Sequence, residues 1–133
     1  VPYFERVLAQ PSAVRPDRLA QAAKTARLQG VADKAVLADA TRSVELHRIT
    51  GSVHNDSFLM VYLPKEKLLI QADAFTPLPP NTPPPATPNA NNVNLIDNIE
   101  RLKLQVDRIL PLHGRVVPLA ELYTTAGRPP PAR

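Results

Sequence analysis

The sequence contains no cysteine. That absence excludes disulfides, cysteine-ligated zinc and thiol catalysis, leaves any bound metal to nitrogen and oxygen donors, and leaves the redox compartment open. Aromatic residues are scarce, three Tyr and three Phe, and no excess of one charge dominates: 16 Lys plus Arg stand against 12 Asp plus Glu, a net charge of +4. The basic residues are scattered among acids, as in Lys65-Glu66-Lys67 and Glu100-Arg101. Nucleic-acid surfaces cluster Lys and Arg and interleave aromatics, so this pattern reads as a solvated mixed-charge surface with no nucleic-acid partner. No stretch approaches the roughly 20 apolar residues needed to span a bilayer, and no membrane partner is expected. The opening Val1-Pro2-Tyr3-Phe4-Glu5 lacks the charged and apolar regions of a secretion signal. It also lacks an initiating methionine, so the first residues need not be the natural start. The cellular location is not legible.

What is present is a chain of 133 residues, 44% hydrophobic. That is the size of one domain, able to bury about two-thirds of its unfolded surface, although part of a larger domain would have the same composition. Residues 3 to 9 and 16 to 24 read as short helices, the second with Pro16 at a first helical position and Asp17 in its first turn. From Ala35 the pattern changes. Val36-Leu37-Ala38, a turn near Ala40-Thr41 and the alternating Val44-Glu45-Leu46-His47-Arg48-Ile49 predict a hairpin. Two apolar runs follow, Phe58 to Leu63 and Lys67 to Ala72, joined by Pro64-Lys65-Glu66. Runs apolar on both faces imply strands covered on both sides, hence a sheet with helices on at least one face and further strands or sheet against the other.

Residues 76 to 92 differ, with seven of the chain's 16 prolines between Pro77 and Pro88. Proline removes backbone donors and favours extended backbone, so no regular element is expected there. Three readings stay open: a stiff surface loop, a rim or lid over a substrate site near Asp73, or a ligand for a proline-recognition module. Beyond it Leu95, Ile96, Ile99, Leu102 and Val106 recur at helical spacing, with Asn91, Asn92 or Asn94 as the cap. A short strand at Ile109-Leu110 and a last helix from Pro118 to about Thr124 complete the pattern. Residues 128–133 read as a disordered tail.

Three chemistry-bearing residues sit where strands run out into loops: His54 in Gly51-Ser52-Val53-His54, Asp73 after Leu69-Ile70-Gln71-Ala72, and His113 in Pro111-Leu112-His113-Gly114. Taken singly each has a plain explanation: a surface histidine, a carboxylate satisfying loop amides, a turn. Taken together, two imidazoles and a carboxylate are ligands zinc accepts. The third histidine, His47, alternates with Glu45 and Ile49 and reads as a surface or interstrand residue.

Gly51-x-x-His54 before an apolar strand, a strand ending at Asp73-Ala74-Phe75-Thr76-Pro77, and Pro111-x-His113-Gly114 make the chain resemble the metallo-β-lactamase fold superfamily. The likeness is to the C-terminal half of that domain and covers residues 1–127; Pro2-Tyr3-Phe4-Glu5-Arg6 is similar to the helix that follows the metal motif in such proteins. The resemblance implies an α/β (α+β) fold: half of a four-layer αββα sandwich, a mixed β-sheet with flanking helices. It also implies a two-zinc hydrolase in which His54 binds one zinc, His113 the other, and Asp73 bridges both. A metal-bound hydroxide would then attack an ester, thioester, lactone or amide-type bond of a small-molecule substrate.

The family's remaining ligands form a His-x-His-x-Asp-His motif, and none occurs here. The chain is therefore expected to be a fragment whose N-terminal half is missing, inactive alone, with zinc weakly held or absent. Half a sandwich would expose the inner face of its sheet, which invites association, so a homo-oligomer is expected in isolation. Asn55 and Ser57 stand where the family often has Thr and Gly, and Ala72 where Gly commonly precedes the aspartate. Asp73 in place of a cysteine argues against the cysteine-using zinc β-lactamases. The alternatives are a non-catalytic interaction module or degenerate relative presenting the proline-rich loop, and a di-iron member of the fold, since similar ligands hold iron.

Overall fold

A computed structural model describes residues 2–10, 18–21 and 26–131. The chain divides into two compact units, residues 1–32 and 33–133. In the first, α1 (Pro2–Ala9) and the four-residue α2 (Arg18–Gln21) are helical. Tyr3, Phe4, Val7 and Leu8 share one stripe of α1 and are exposed. The expectation for 16 to 24 is met at Arg18–Gln21; Pro16 and Asp17 lie outside the described residues.

The second unit is a six-stranded mixed sheet in the order β1-β2-β3-β4-β5-β6, formed by Lys34–Ala38, Ser43–Arg48, Leu59–Leu63, Leu68–Gln71, Arg108–Pro111 and Val117–Pro118. Neighbours pair antiparallel except β4 and β5. That parallel pair requires a crossover, supplied by the proline-rich segment and α3 (Ala90–Arg101). A short α4 (Leu119–Thr125) closes the unit. The β1–β2 turn is set by Asp39, whose Oδ1 accepts from the backbone of Thr41 at 2.7 Å and Arg42 at 2.9 Å and from the Thr41 hydroxyl. Those hydrogen bonds hold its carboxyl below the usual range.

One face of the sheet is the core. His47, Met60, Tyr62, Leu69, Gln71, Ile109 and Val117 are buried there with Leu95, Ile96 and Ile99 of α3 and Leu122 of α4. Each large aliphatic side chain removed from water contributes about 1.5–3 kcal/mol. The opposite face carries Leu37, Val44, Leu46, Leu59, Val61, Leu63, Ile70 and Leu110 in register. None of them is buried, and Leu37 is 58% exposed. Both faces are apolar, as the sequence predicts, and within this unit α3 and α4 cover one of them.

Two expectations about α3 are corrected. Helix α3 starts at Ala90, inside the segment read as irregular, and its cap is Asn89, whose side chain accepts from Asn91 N at 2.8 Å. The extended backbone of Asn89 leaves it ready to cap, and Asn94 and Asn98 are drawn into the helix by hydrogen bonds to Thr50. Of the two places read for His47, surface or interstrand, it takes the second, 3% exposed on β2 between β1 and β3; its Nε2 meets Glu45 Oε2 at 2.7 Å while Lys34 Nζ meets Glu45 Oε1 at 2.7 Å. Burial pushes the Glu45 carboxyl up, but the hydrogen bonds and charges of Lys34 and His47 outweigh it and hold it below its ordinary value. Strand β6, two residues long, has no sequence periodicity to announce it. At the C-terminus Arg128 pairs with Asp97 at 2.7 Å, and residues 132–133 lie outside the described residues.

Candidate metal centre

Strand register brings the candidate residues to one edge. Gln71 of β4 is opposite Pro111 of β5 in the parallel pair. Asp73 and His113, each two residues further on, therefore leave the sheet side by side at its carboxyl edge, where open α/β sheets place their ligand sites. Strand β3 runs antiparallel to β4 and begins at this same edge, so the loop preceding it brings His54 there too. His113 Nε2 lies 3.1 Å from Asp73 Oδ1, and His54 Nε2 lies 3.8 Å from Asp73 Oδ2. The three side chains are 62%, 44% and 40% exposed for His113, His54 and Asp73.

Each imidazole faces a different oxygen of the same carboxylate. Among the described residues no group of three or more His, Cys, Asp or Glu could hold a metal ion. Each half of the triplet offers one nitrogen and one oxygen. Two donors on one tetrahedral zinc, at metal-ligand distances of about 2.0–2.1 Å, stand about 3.4 Å apart, and 3.1 and 3.8 Å bracket that value. The donor set is thus compatible with a carboxylate bridging two cations, and it is short of the four ligands a zinc ion takes. The three metal ligands expected from the sequence, His54, Asp73 and His113, lie together; His47, never expected among them, is on β2 and paired with Glu45.

The surroundings hold the triplet by its backbone. Asp73 has φ +67°, a left-handed conformation uncommon for a residue with a side chain but tolerated by aspartate. Before His54, the amides of His54 and Asn55 donate to Ser52 Oγ at 3.1 and 3.3 Å, and the His54 ring packs against Phe58 with centroids 5.4 Å apart. Thr50, at the base of that loop, is tied to α3: Asn98 Oδ1 accepts from Thr50 N at 2.9 Å, and Asn94 Nδ2 and Asn98 Nδ2 donate to Thr50 O at 2.8 and 3.0 Å. After His113, Gly114 has φ +100°, and a Cβ there would lie 3.3 Å from Pro77 Cδ. The proline-rich segment therefore packs on the turn that presents His113, and Arg115, paired with Glu121, donates to Leu78 O at 3.3 Å. Beside Asp73 a cavity of about 380 Å³ opens between Leu78, Pro85 and Thr87 of this segment and Asn91 and Asn92 of α3.

Two supporting residues were not singled out from the sequence, Gln71 and Asn98. Gln71 had a signal: it is the polar residue at an inward position of an otherwise apolar strand, two after Leu69. Asn98 had none, because Thr50, the partner that ties it to the loop, is 48 residues away.

Neither a family model nor a curated protein matches the sequence. Solved structures do. The chain superposes on a metallo-β-lactamase from Pontibacter korlensis with TM-score 0.55 and 17% identity, over 82% of this chain and 51% of that one. TMB-1 gives 0.54 and 17%, over 82% and 50%, and DIM-1 metallo-β-lactamase 0.54 and 18%, over 82% and 51%. The chain spans about half the length of these structures. It has the metallo-β-lactamase fold, as half of that α/β sandwich.

Proposed function

We propose that the chain is the C-terminal half of a metallo-β-lactamase-fold hydrolase and contributes His54, Asp73 and His113 to a two-zinc centre acting on a small-molecule ester, thioester, lactone or amide. The supporting observation is the triplet itself: one carboxylate with each oxygen turned to a different imidazole, at the carboxyl edge of a sheet of this fold. His54 and His113 would each hold one cation and Asp73 both, its negative charge offsetting their mutual repulsion. Zinc, when bound, supplies an acidified water as nucleophile and a Lewis acid for the scissile carbonyl. The partial exposure of the three side chains lets a substrate reach them, and the cavity beside Asp73, rimmed by the proline-rich segment, accommodates a compact neighbouring group of the substrate.

The remaining ligands come from the N-terminal half, so the chain alone is inactive and holds metal weakly. The test is zinc content by atomic emission of the chain joined to the residues that precede it in the gene, beside the same protein with His113→Ala. About two zinc ions per chain are expected, falling to one or fewer in the variant. Less than one zinc in the parent, with no change on substitution, refutes the reading.

A further inference from the structure

We infer that Gln71 is a positioning residue that fixes both the left-handed conformation of Asp73 and its separation from His113. Gln71 ends β4 and is 3% exposed. Its amide is fully committed to the turn beyond Asp73: Oε1 accepts from Ala74 N at 2.8 Å and Phe75 N at 3.1 Å, and Nε2 donates to Phe75 O at 2.6 Å. Its backbone carbonyl accepts from Leu112 N at 2.9 Å, in the arm that carries His113. One buried residue thus touches the backbone on the far side of one candidate ligand and the near side of the other.

The geometry makes this more than a satisfied core amide. Ala74 and Phe75 are 3% and 1% exposed, so their N–H groups have no access to water, and buried backbone donors demand a partner. Gln71 is that partner, and reaching it requires the chain to fold back within four residues. Asp73 sits at the apex, and its φ of +67° is the conformation that the reversal imposes. Strain of this kind persists where the surroundings over-determine it. Glutamate sets a carboxylate oxygen where Nε2 donates to Phe75 O at 2.6 Å, so the two oxygens repel and the turn cannot close on it; methionine keeps the length and loses all three side-chain bonds.

The conformation is a property of the chain; its consequence for metal rests on the proposed function. The test compares the chain with Gln71→Met and Gln71→Glu, using Tyr123→Phe as a control that removes a hydrogen bond elsewhere. NMR couplings and ¹³C shifts report the φ of Asp73, a nuclear Overhauser contact reports Asp73 against the His113 ring, and titration with Co²⁺ reports affinity. In both Gln71 variants, with sheet resonances retained, the positive-φ signature and the contact are expected to be lost. Co²⁺ should bind at least about tenfold more weakly, the scale of effect seen for residues supporting metal ligands, and Tyr123→Phe should change neither. Folded Gln71 variants that keep the Asp73 signature overturn the inference. Should Gln71→Met not fold, Gln71→Glu decides by the same signature. Should the parent chain bind Co²⁺ too weakly to titrate, the chain joined to the residues that precede it in the gene is titrated instead; a joined parent that binds none while its Gln71 variants lose the signature counts against the metal function and leaves the positioning role standing.

Discussion

Replacing Asn98 with alanine severs the tie between α3 and the loop that carries His54, and its cost can be worked from the contacts. Asn98 is 2% exposed and makes five hydrogen bonds. Its Oδ1 accepts from Thr50 N at 2.9 Å, Thr50 Oγ1 at 3.2 Å and Arg101 Nη2 at 2.8 Å; its Nδ2 donates to Thr50 O at 3.0 Å and Asn94 O at 2.8 Å. Not all are lost without replacement. Thr50 is exposed, so water can take its N–H and hydroxyl; Asn94 Nδ2 still donates to Thr50 O, and Arg101 still reaches Arg48 O at 3.3 Å. At about 1 kcal/mol net per ordinary hydrogen bond, and more for one to a charged group, the loss comes to about 2–3 kcal/mol. For a unit of this size that corresponds to a fall in Tm of roughly 10–20 °C. Asn98→Asp keeps the acceptors and gains charge opposite Arg101, but it sets a buried carboxylate oxygen against Thr50 O and Asn94 O and should cost at least as much as alanine. Urea unfolding followed by circular dichroism, with the slope checked for constancy, measures both. Amide exchange of residues 50–57 should accelerate in the alanine variant. An alanine cost under about 0.5 kcal/mol with unchanged exchange would show that α3 does not hold this loop through Asn98.

Tyr123 donates to Glu100 Oε1 at 2.9 Å, and burial together with that bond and the Glu100 charge pushes its phenol up to about 12. Folding therefore favours the neutral phenol: its contribution is whole below the unfolded value of about 10 and lost as pH rises from there to about 12, to the extent of about 2–3 kcal/mol. Unfolding midpoints at pH 9 and pH 11.5 should fall steeply for the parent and much less for Tyr123→Phe, which keeps only the share from Tyr62, also raised by burial; equal falls would refute the assignment. The uncovered sheet face with Leu37, Leu59 and Leu110 exposed should make the isolated chain associate with a second copy. Light scattering at tens to hundreds of micromolar should show a dimer that the double substitution Leu37→Lys, Leu110→Lys disperses; a monomeric parent at high concentration refutes it.

Local pattern carried the sheet a long way. The alternation of Val44 to Ile49 and the apolar runs at Phe58 and Lys67 match β2, β3 and β4, because period two and continuous apolarity are properties of consecutive residues. What failed was what depends on distant ones. Asn89, Asn91, Asn92 and Asn94 are all competent caps, and Thr50 and Gly51, more than 40 residues away, decide that Asn94 is spent on tertiary contacts. The alternation in β2 put Glu45 and His47 on one face but could not say which face α3 and α4 would cover, so His47 read as surface or interstrand and is an interstrand residue on the core face. Likewise Asp73 and His113 were selected as single residues by type and place; that they meet follows from the offset of β4 against β5, which only the folded pair defines.

The candidate site separates chemistry from stability by depth. The three proposed ligands are 40–62% exposed, whereas the residues that place them, Gln71 and Asn98, are 3% and 2% exposed and spend every polar atom on the backbone of the ligand loops. Contacts between exposed charged side chains such as those within the triplet are worth little to folding, on the order of 0–1 kcal/mol. Buried amides that satisfy buried backbone are worth several times that when removed. Substituting His113 should therefore remove donor chemistry with the fold intact, while substituting the amides beneath should disturb the fold and the site together. That asymmetry is what makes His113→Ala a clean probe of the proposed metal centre, and it is why Gln71 must be judged by the conformation of Asp73 rather than by loss of stability.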